Sequence, residues 1–233
     1  MAPTKEAVAE ITVETVAHAI DHMVLAPDHT FQDIEQACRD AQQYGFASLT
    51  LAPYAVSYAA RLLRGTGMRI CGTVGMPLGH CGLKAKCDEA ASCIESGAAE
   101  IDVLINLVAM KSGRYGDVQE EIAAIRKMAT GLTLKATLEC CYLTDAEKAR
   151  AGKLVLDAGA DVLKSHTGFG RTGATTRDVL ILKRVAGHQA EVEVAGDFRT
   201  FKQFHAITQV GAARVATAFG VDVIRDFYKW EAE

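Results

Sequence analysis

The stretch DAGADVLKS, residues 157–165, passes from the end of a helix into an apolar strand through a single glycine, Gly159. Three other stretches repeat this pattern: QQYGFASLTL around Gly45, ESGAAEIDVLI around Gly97 and QVGAARVAT around Gly211. A glycine ends a helix at this position because it adopts positive φ freely, after which the chain continues as a strand. The four glycines are 52, 62 and 52 residues apart, about twice the length of one strand–helix unit. The repeat therefore predicts eight such units.

Eight short apolar runs fit as the strands of these units. Amphipathic stretches such as FQDIEQACRDAQQYG and DVQEEIAAIRKMA separate them, with apolar positions recurring at three and four residues. Alternation of strand and helix favours a parallel sheet, and eight units without a linker fit a closed barrel better than an open, doubly wound sheet. We therefore expect one (β/α)8 TIM-barrel domain over residues 1–233, with a short N-terminal helix. Its strands are expected at Ile20–Leu25, Phe46–Leu51, Arg69–Val74, Glu100–Ile105, Leu132–Glu139, Asp161–Ser165, Ala190–Ala195 and Arg214–Thr217.

Composition excludes several classes of protein. The net charge is −4 and only 6% of residues are aromatic, so we expect no nucleic-acid partner. The longest apolar runs are shorter than the roughly 20 residues that a membrane helix needs. The first residues lack the basic and apolar regions of a signal peptide, which favours a soluble, cytoplasmic protein. The seven cysteines contain no CxxC pair, so neither a disulfide framework nor a zinc knuckle is predicted.

Charged residues fall where the interior of a barrel should be apolar. Side chains alternate along a strand, so if Val162 points inward, Lys164 and His166 point inward too. The same phase on the neighbouring strands gives one ionisable group each, which for the fourth to seventh strands are Asp102, Lys135, Lys164 and Glu193. Buried charges are paired or functional, and TIM-barrel active sites draw residues from several strands at their C-terminal ends. This pattern predicts a catalytic site.

A lysine in such a pocket suggests a particular chemistry. Burial favours the neutral amine, which attacks a carbonyl carbon to form a Schiff base. The resulting iminium withdraws electrons, so a nearby carbon–carbon bond can break or form while carboxylates move the protons. Lys164 with Asp102 therefore indicates a class I aldolase.

The motifs LKSHTGFG with Lys164, GAAEIDVLIN with Asp102, IDHMVLAPD, GFASLTLAP, GTVGMPLG and LKATLEC give the chain a wider resemblance. From about residue 20 to 220 it resembles the deoxyribose-phosphate aldolase family of class I aldolases. The family implies a (β/α)8 barrel that joins acetaldehyde to glyceraldehyde 3-phosphate reversibly, without a metal or other cofactor. It assigns the Schiff base to Lys164, the proton relay to Asp102 and the fifth-strand lysine to Lys135. We expect the following residues to bind substrate, some of which match the family while others depart from it: Asp21, Met23, Thr50, His80, Thr137, His166, Thr167, Gly196, Asp197, Thr217 and Phe219.

The departures concern the catalytic amines and the phosphate site. Glu193 occupies the position of the family's second catalytic lysine, which should raise the affinity of Lys164 for its proton. Asp197 replaces the second glycine of a Gly-Gly step that receives phosphate, and Phe219 replaces a small residue before the last helix. Met23 replaces a threonine and His166 a serine or threonine. These changes predict a small carbonyl substrate that lacks a terminal phosphate.

Other readings stay open from the sequence. Glu193 serves either as an acid or base or as a counter-ion. The same imine supports a different lyase, a dehydration or a condensation, and a non-catalytic aldolase-like binding protein is a further alternative. A metal bound by His80, Cys81, His166 and Glu193 is another alternative, but the spacing of these residues is irregular and no metal is expected. A homodimer is compatible with all of these readings.

Overall fold

The computed structural model describes residues 11–232, in which eight parallel strands close into a barrel in chain order. The strands are β1 Ile20–Val24, β2 Ser48–Leu51, β3 Ile70–Val74, β4 Glu100–Leu104, β5 Thr133–Thr137, β6 Val162–Lys164, β7 Glu191–Ala195 and β8 Arg214–Thr217. The helices are α1 Val13–Ala17, α2 Phe31–Tyr44, α3 Pro53–Leu62, α4 Leu83–Glu95, α5 Leu107–Lys111, α6 Tyr115–Met128, α7 Asp145–Asp157, α8 Thr176–Ala186, α9 Phe201–Gln209 and α10 Gly220–Glu231. None of these helices has the length and apolar character to cross a membrane.

The predicted TIM barrel and its strand order are confirmed. The four repeat glycines, at positions 45, 97, 159 and 211, all have positive φ between 72° and 117° and follow helices, as expected. The short N-terminal helix is α1; the first ten residues lie outside the described part of the chain. The expected fifth strand is too long, because the chain leaves the sheet after Thr137 and Glu139 adopts a left-handed conformation at φ 50°.

Threonines set the start of several helices. Each accepts a hydrogen bond from the backbone of the third helical residue, whose side chain in turn accepts one from the threonine N–H, which forms a capping box. These caps fix where the chain turns from a strand or its following loop into the next helix. The threonines are Thr12, Thr30, Thr144, Thr175 and Thr200.

The strands carry apolar residues toward the helices and polar ones into the barrel. Ile101 and Val103 of β4 belong to the main apolar core, whereas Asp102 between them is equally buried but bonded to other strands. The helices pack close to the sheet: a Cβ at Gly72 of β3 would lie 2.7 Å from the Cβ of Cys93 on α4. The polar side chains are thus sealed inside an apolar shell.

His22 is a buried histidine on β1, next to the start of α10. A Cβ at Gly220 would lie 3.0 Å from its Nδ1 atom, and its ring centroid is 5.3 Å from that of Phe46. Its Nδ1 has no hydrogen-bond partner among the described residues. Burial lowers the pKa of His22 to about 4, so the folded protein holds it neutral.

We expect acid to destabilise the protein through His22. Because its pKa is lower in the folded than in the unfolded chain, its contribution is fully present above about pH 6.5 and is lost as the pH falls toward 4. The loss should be on the order of 3 kcal/mol in the free energy of unfolding. Urea unfolding across this range measures it. His22→Gln should flatten the dependence and exposed His188→Gln should not; identical slopes in all three proteins would contradict the assignment.

Candidate active site

Lys164, the last residue of β6, lies at the centre of the barrel. Its Nζ atom is 2.6 Å from an oxygen of Asp102 and 3.0 Å from one of Glu193. All three side chains are fully buried. The other oxygen of Asp102 accepts a hydrogen bond of 2.6 Å from the hydroxyl of Thr137. The lysine is therefore held between two carboxylates, one of which is oriented by a neighbouring strand.

A second amine lies beside it on β5. The Nζ atom of Lys135 is 2.7 Å from Glu193 and 2.8 Å from Glu100, and it also forms an ion pair with Asp21. The Arg214 guanidinium donates to both oxygens of Glu100 at 3.0 and 3.2 Å. Glu193 thus bridges Lys135 and Lys164.

The carboxylates decide the charge of both lysines. Burial alone would favour the neutral amine, but Asp102 and Glu193 outweigh it, so the pKa of Lys164 is raised. Burial likewise opposes the charged form of Lys135, yet Asp21 and Glu193 raise its pKa. The free protein therefore holds Lys164 as an ammonium ion, and the amine becomes nucleophilic only after passing its proton to a neighbour.

Glu193 differs from the other carboxylates of the network. Burial and the negative charge of Asp21 raise the pKa of Glu193 to about 8, although both lysines act in the opposite direction. Burial also opposes the ionised form of Asp21, but Lys135 outweighs it and the pKa of Asp21 is lowered. Glu193 is thus able to hold a proton at neutral pH and release it within the site.

A cavity of about 710 Å³ opens at the C-terminal ends of β1, β6, β7 and β8. Met23, which lines it, forms a small apolar cluster with Ala195 and Ala216. The charged residues that line the cavity are mostly acidic: Arg225 stands among four aspartates, which are Asp33, Asp40, Asp197 and Asp222. The cavity therefore favours a neutral or cationic group over an anion.

The cavity wall near β7 and β8 carries two of the substitutions noted in the sequence. Asp197 is mostly exposed and lies 3.7 Å from a guanidinium nitrogen of Arg199. That guanidinium stacks over the ring of Phe219, 3.5 Å from its centroid. Phe219 directly precedes α10. The guanidinium of Arg199 therefore already contacts two side chains of this chain, Asp197 and Phe219.

The expected binding residues divide into three groups. Five line the cavity: Met23, Thr167, Gly196, Asp197 and Phe219. Four are buried within or beside the network: Asp21, Thr50, Thr137 and Thr217. Thr137 contacts Asp102 and Asp21 contacts Lys135. Thr217 donates a hydrogen bond of 3.1 Å to the carbonyl of Phe198, whereas the hydroxyl of Thr50 has no partner among residues 11–232. Two lie elsewhere: His80 lines a different surface cavity, and His166 lies with Glu139 and Cys141.

The metal set considered from the sequence does not assemble. Glu193 is bonded to the two lysines, whereas His166 lies near Asp178 of α8 and Lys148 of α7. Strand alternation placed His166 inward, but β6 ends at Lys164 and the alternation ends with it.

Sequence reasoning did not assign a role to Glu100 or Arg214, which join the network from β4 and β8. A signal was present for both. Each lies two residues before a residue that points into the barrel, Asp102 and Ala216 respectively. Inward phase combined with opposite charge would have identified them.

The chain is similar to known aldolases over most of its length. The family model described as DeoC/LacD family aldolase matches residues 15–229. A deoxyribose-phosphate aldolase of Carboxydothermus hydrogenoformans is 38% identical over 220 residues, covering 93% of this chain and 96% of the relative. One from Geobacillus sp. is 40% identical over 210 residues, covering 90% and 94%. The deoxyribose phosphate aldolase structure from Aeropyrum pernix, which is described as tetrameric, has a TM-score of 0.88 at 29% identity, covering 93% of that chain and 94% of this one.

Proposed function

Because the chain belongs to the DeoC/LacD family of aldolases, we propose that it makes or breaks a carbon–carbon bond through an imine on Lys164, using a carbonyl substrate without a terminal phosphate. It is an enzyme of the class I aldolase type, a carbon–carbon lyase. The observation that carries the imine proposal is the position of Lys164: fully buried, at the end of β6, between two carboxylates.

The first step is attack of the Lys164 amine on the substrate carbonyl. Its proton passes to Asp102, the nearest carboxylate at 2.6 Å. Asp102 then returns that proton to the carbinolamine hydroxyl, which leaves as water and gives an iminium. Thr137 holds Asp102 in place during this transfer. The iminium carries the positive charge that the ammonium carried, so the ionised Asp102 stabilises it in the same position.

The second step breaks the bond between the carbons α and β to the iminium carbon. A carboxylate removes the proton of the substrate hydroxyl, the carbon–carbon bond breaks to form an aldehyde, and its electron pair enters the iminium to give an enamine. Protonation of the enamine carbon and hydrolysis of the new iminium release the second carbonyl product. Glu193, with its pKa near 8, is the acid that we propose for the protonation.

The proposed lack of a substrate phosphate rests on the cavity wall. Asp197 adds a carboxylate where an anion would bind, and the ring of Phe219 occupies the approach to the N-terminus of α10. The guanidinium of Arg199 is already engaged by these two residues. An uncharged hydroxylated group or an amine fits the four aspartates better.

We expect poor cleavage of 2-deoxyribose 5-phosphate. Phosphate recognition supplies charge-assisted hydrogen bonds of roughly 1.5–3 kcal/mol each, so losing two should lower kcat/KM by about two to four orders of magnitude relative to a phosphate-binding enzyme. Steady-state assays with this compound and with 2-deoxyribose measure the preference. A double variant, Asp197→Gly with Phe219→Ser, should shift the preference toward the phosphorylated sugar. Efficient cleavage of that sugar by the unaltered protein would contradict the proposal.

The same imine supports other reactions, and product analysis distinguishes them. A dehydration or a condensation would leave the Lys164 adduct in place but yield a different product. A non-catalytic binding protein would bind carbonyl compounds without turnover.

A further inference from the structure

Three metal-ligating side chains lie together outside the lysine network. Glu139 and Cys141 belong to the turn that follows β5, and His166 lies two residues after β6. One ligand atom of each residue lies within 4.8 Å of those of the other two. The turns after two neighbouring strands thus bring a carboxylate, a thiol and an imidazole to one place.

The imidazole of His166 is buried without a hydrogen-bond partner among residues 11–232. It is completely buried, and neither ring nitrogen has a hydrogen-bond partner there. A buried, unpaired imidazole is costly, so such groups normally have a ligand or a hydrogen bond. Asp178 and Lys148, which also lie near the ring, are 2.8 Å apart and paired with each other.

Glu139 is oriented toward the other two residues. Its left-handed backbone turns the chain out of the sheet. The Oε2 atom accepts hydrogen bonds from the backbone N–H of Thr167, at 3.2 Å, and from the Thr167 hydroxyl. The Oε1 atom accepts a hydrogen bond from the Cys141 thiol, at a sulfur–oxygen distance of 3.8 Å. Support of this kind, in which one oxygen is held by the backbone and a hydroxyl while the other faces a second ligand, is common around metal ligands.

We propose that Glu139, Cys141 and His166 bind a zinc ion. A thiolate, an imidazole and a carboxylate are the ligand types that zinc takes in proteins. Zinc–ligand bonds of about 2.0–2.3 Å require ligand atoms roughly 3.5 Å apart, so modest side-chain rotations bring this set into range. Binding displaces the thiol proton of Cys141.

The site would fasten one wall of the 710 Å³ cavity at the C-terminal ends of the strands. It joins the turn after β5 to the segment that follows β6, in which Thr167, Gly168 and Phe169 line that cavity. The backbone is already close: a Cβ at Gly170 would lie 2.7 Å from both the Cys141 sulfur and Glu139 Oε1. A separate surface cavity of about 510 Å³, lined by Glu139 and Gly170, gives an ion access. The imine chemistry itself needs no metal, so this site is independent of it.

Metal titration tests the proposal directly. Chelator-treated protein should take up one equivalent of Zn²⁺ in competition with a chromophoric chelator. Co²⁺ should give a thiolate-to-metal charge-transfer band in the near ultraviolet. Cys141→Ala should remove that band and weaken Zn²⁺ binding by at least about 100-fold, since even the loss of a supporting residue costs 10–100-fold.

Cys81→Ala is the matched control, because Cys81 is another half-buried thiol on a loop at the mouth of the barrel. It should leave both the band and the affinity unchanged. His166→Gln should weaken Zn²⁺ binding but keep the band, and its circular dichroism verifies the fold. The absence of saturable binding, or binding lost in Cys81→Ala but retained in Cys141→Ala, would overturn the proposal.

Discussion

Replacing Lys164 with methionine should reduce turnover by at least about four orders of magnitude, because the variant lacks the amine that we propose to form the covalent intermediate. Methionine fills similar space but removes the cation between Asp102 and Glu193. Lys164→Arg is therefore the companion variant, since it restores a cation that cannot form an imine. Both should be equally inactive, as measured by the rate of aldehyde release.

The control for Lys164 is an exposed lysine. Lys111 pairs with Glu147 on the surface of the barrel, and Lys111→Met should retain full turnover. Urea unfolding verifies that each variant is folded, because removal of one member of a buried ion pair costs about 3–5 kcal/mol. A folded Lys164→Arg protein with undiminished turnover would rule out the imine on this residue.

The second large effect is expected from Glu193→Gln. Glutamine keeps the shape of the side chain and removes its exchangeable acid proton. If Glu193 protonates the enamine, kcat should fall by about 10²–10⁴-fold while imine formation on Lys164 persists. The pH dependence of kcat gives a second test. Glu193 is protonated below about pH 8, so kcat should decline as the pH rises through that value, and the decline should vanish in the variant.

The opposite outcome would assign Glu193 a simpler role. As a mere counter-ion, its removal would lower the pKa of Lys164, because one of the two carboxylates that raise it would be gone. Imine formation would then persist or increase, and turnover would be maintained. Unchanged kcat in Glu193→Gln therefore contradicts the acid assignment without affecting the assignment of Lys164.

The interior residues could be predicted from sequence because alternation along a strand is a rigid geometric rule. Once Val162 points inward, Lys164 must follow, and the same phase placed Asp102, Lys135 and Glu193 on the facing strands. The four side chains do form one connected network in the structure. Strand phase and charge together were sufficient to predict these four interior residues.

The rule stops where the strands end. His166 follows β6 by two residues, and Glu139 follows β5 by two, so neither position obeys the alternation. The left-handed turn at Glu139 cannot be predicted from the residue type, because a glutamate rarely adopts positive φ. The cluster of Glu139, Cys141 and His166 therefore depends on loop geometry, which the sequence pattern does not encode.

The partners of Lys135 other than Glu193 were beyond the sequence. Lys135 was expected as part of the catalytic set, yet it contacts Asp21, Glu100 and Glu193 and has no direct ion pair with Asp102 among the described residues. Barrel closure brings β1 beside β8, and thereby Asp21 and Arg214 near residues far away in the chain. Such contacts follow from the stagger of the strands around the barrel.

The most direct test of the account is borohydride trapping with a small aldehyde, followed by peptide mass spectrometry. Reduction of the imine fixes the aldehyde carbon to the lysine as a stable secondary amine. We expect one adduct per chain, on the peptide that contains Lys164, absent from Lys164→Arg and retained in Glu193→Gln. An adduct on Lys135 alone, or no adduct with an aldehyde that the protein turns over, would contradict it.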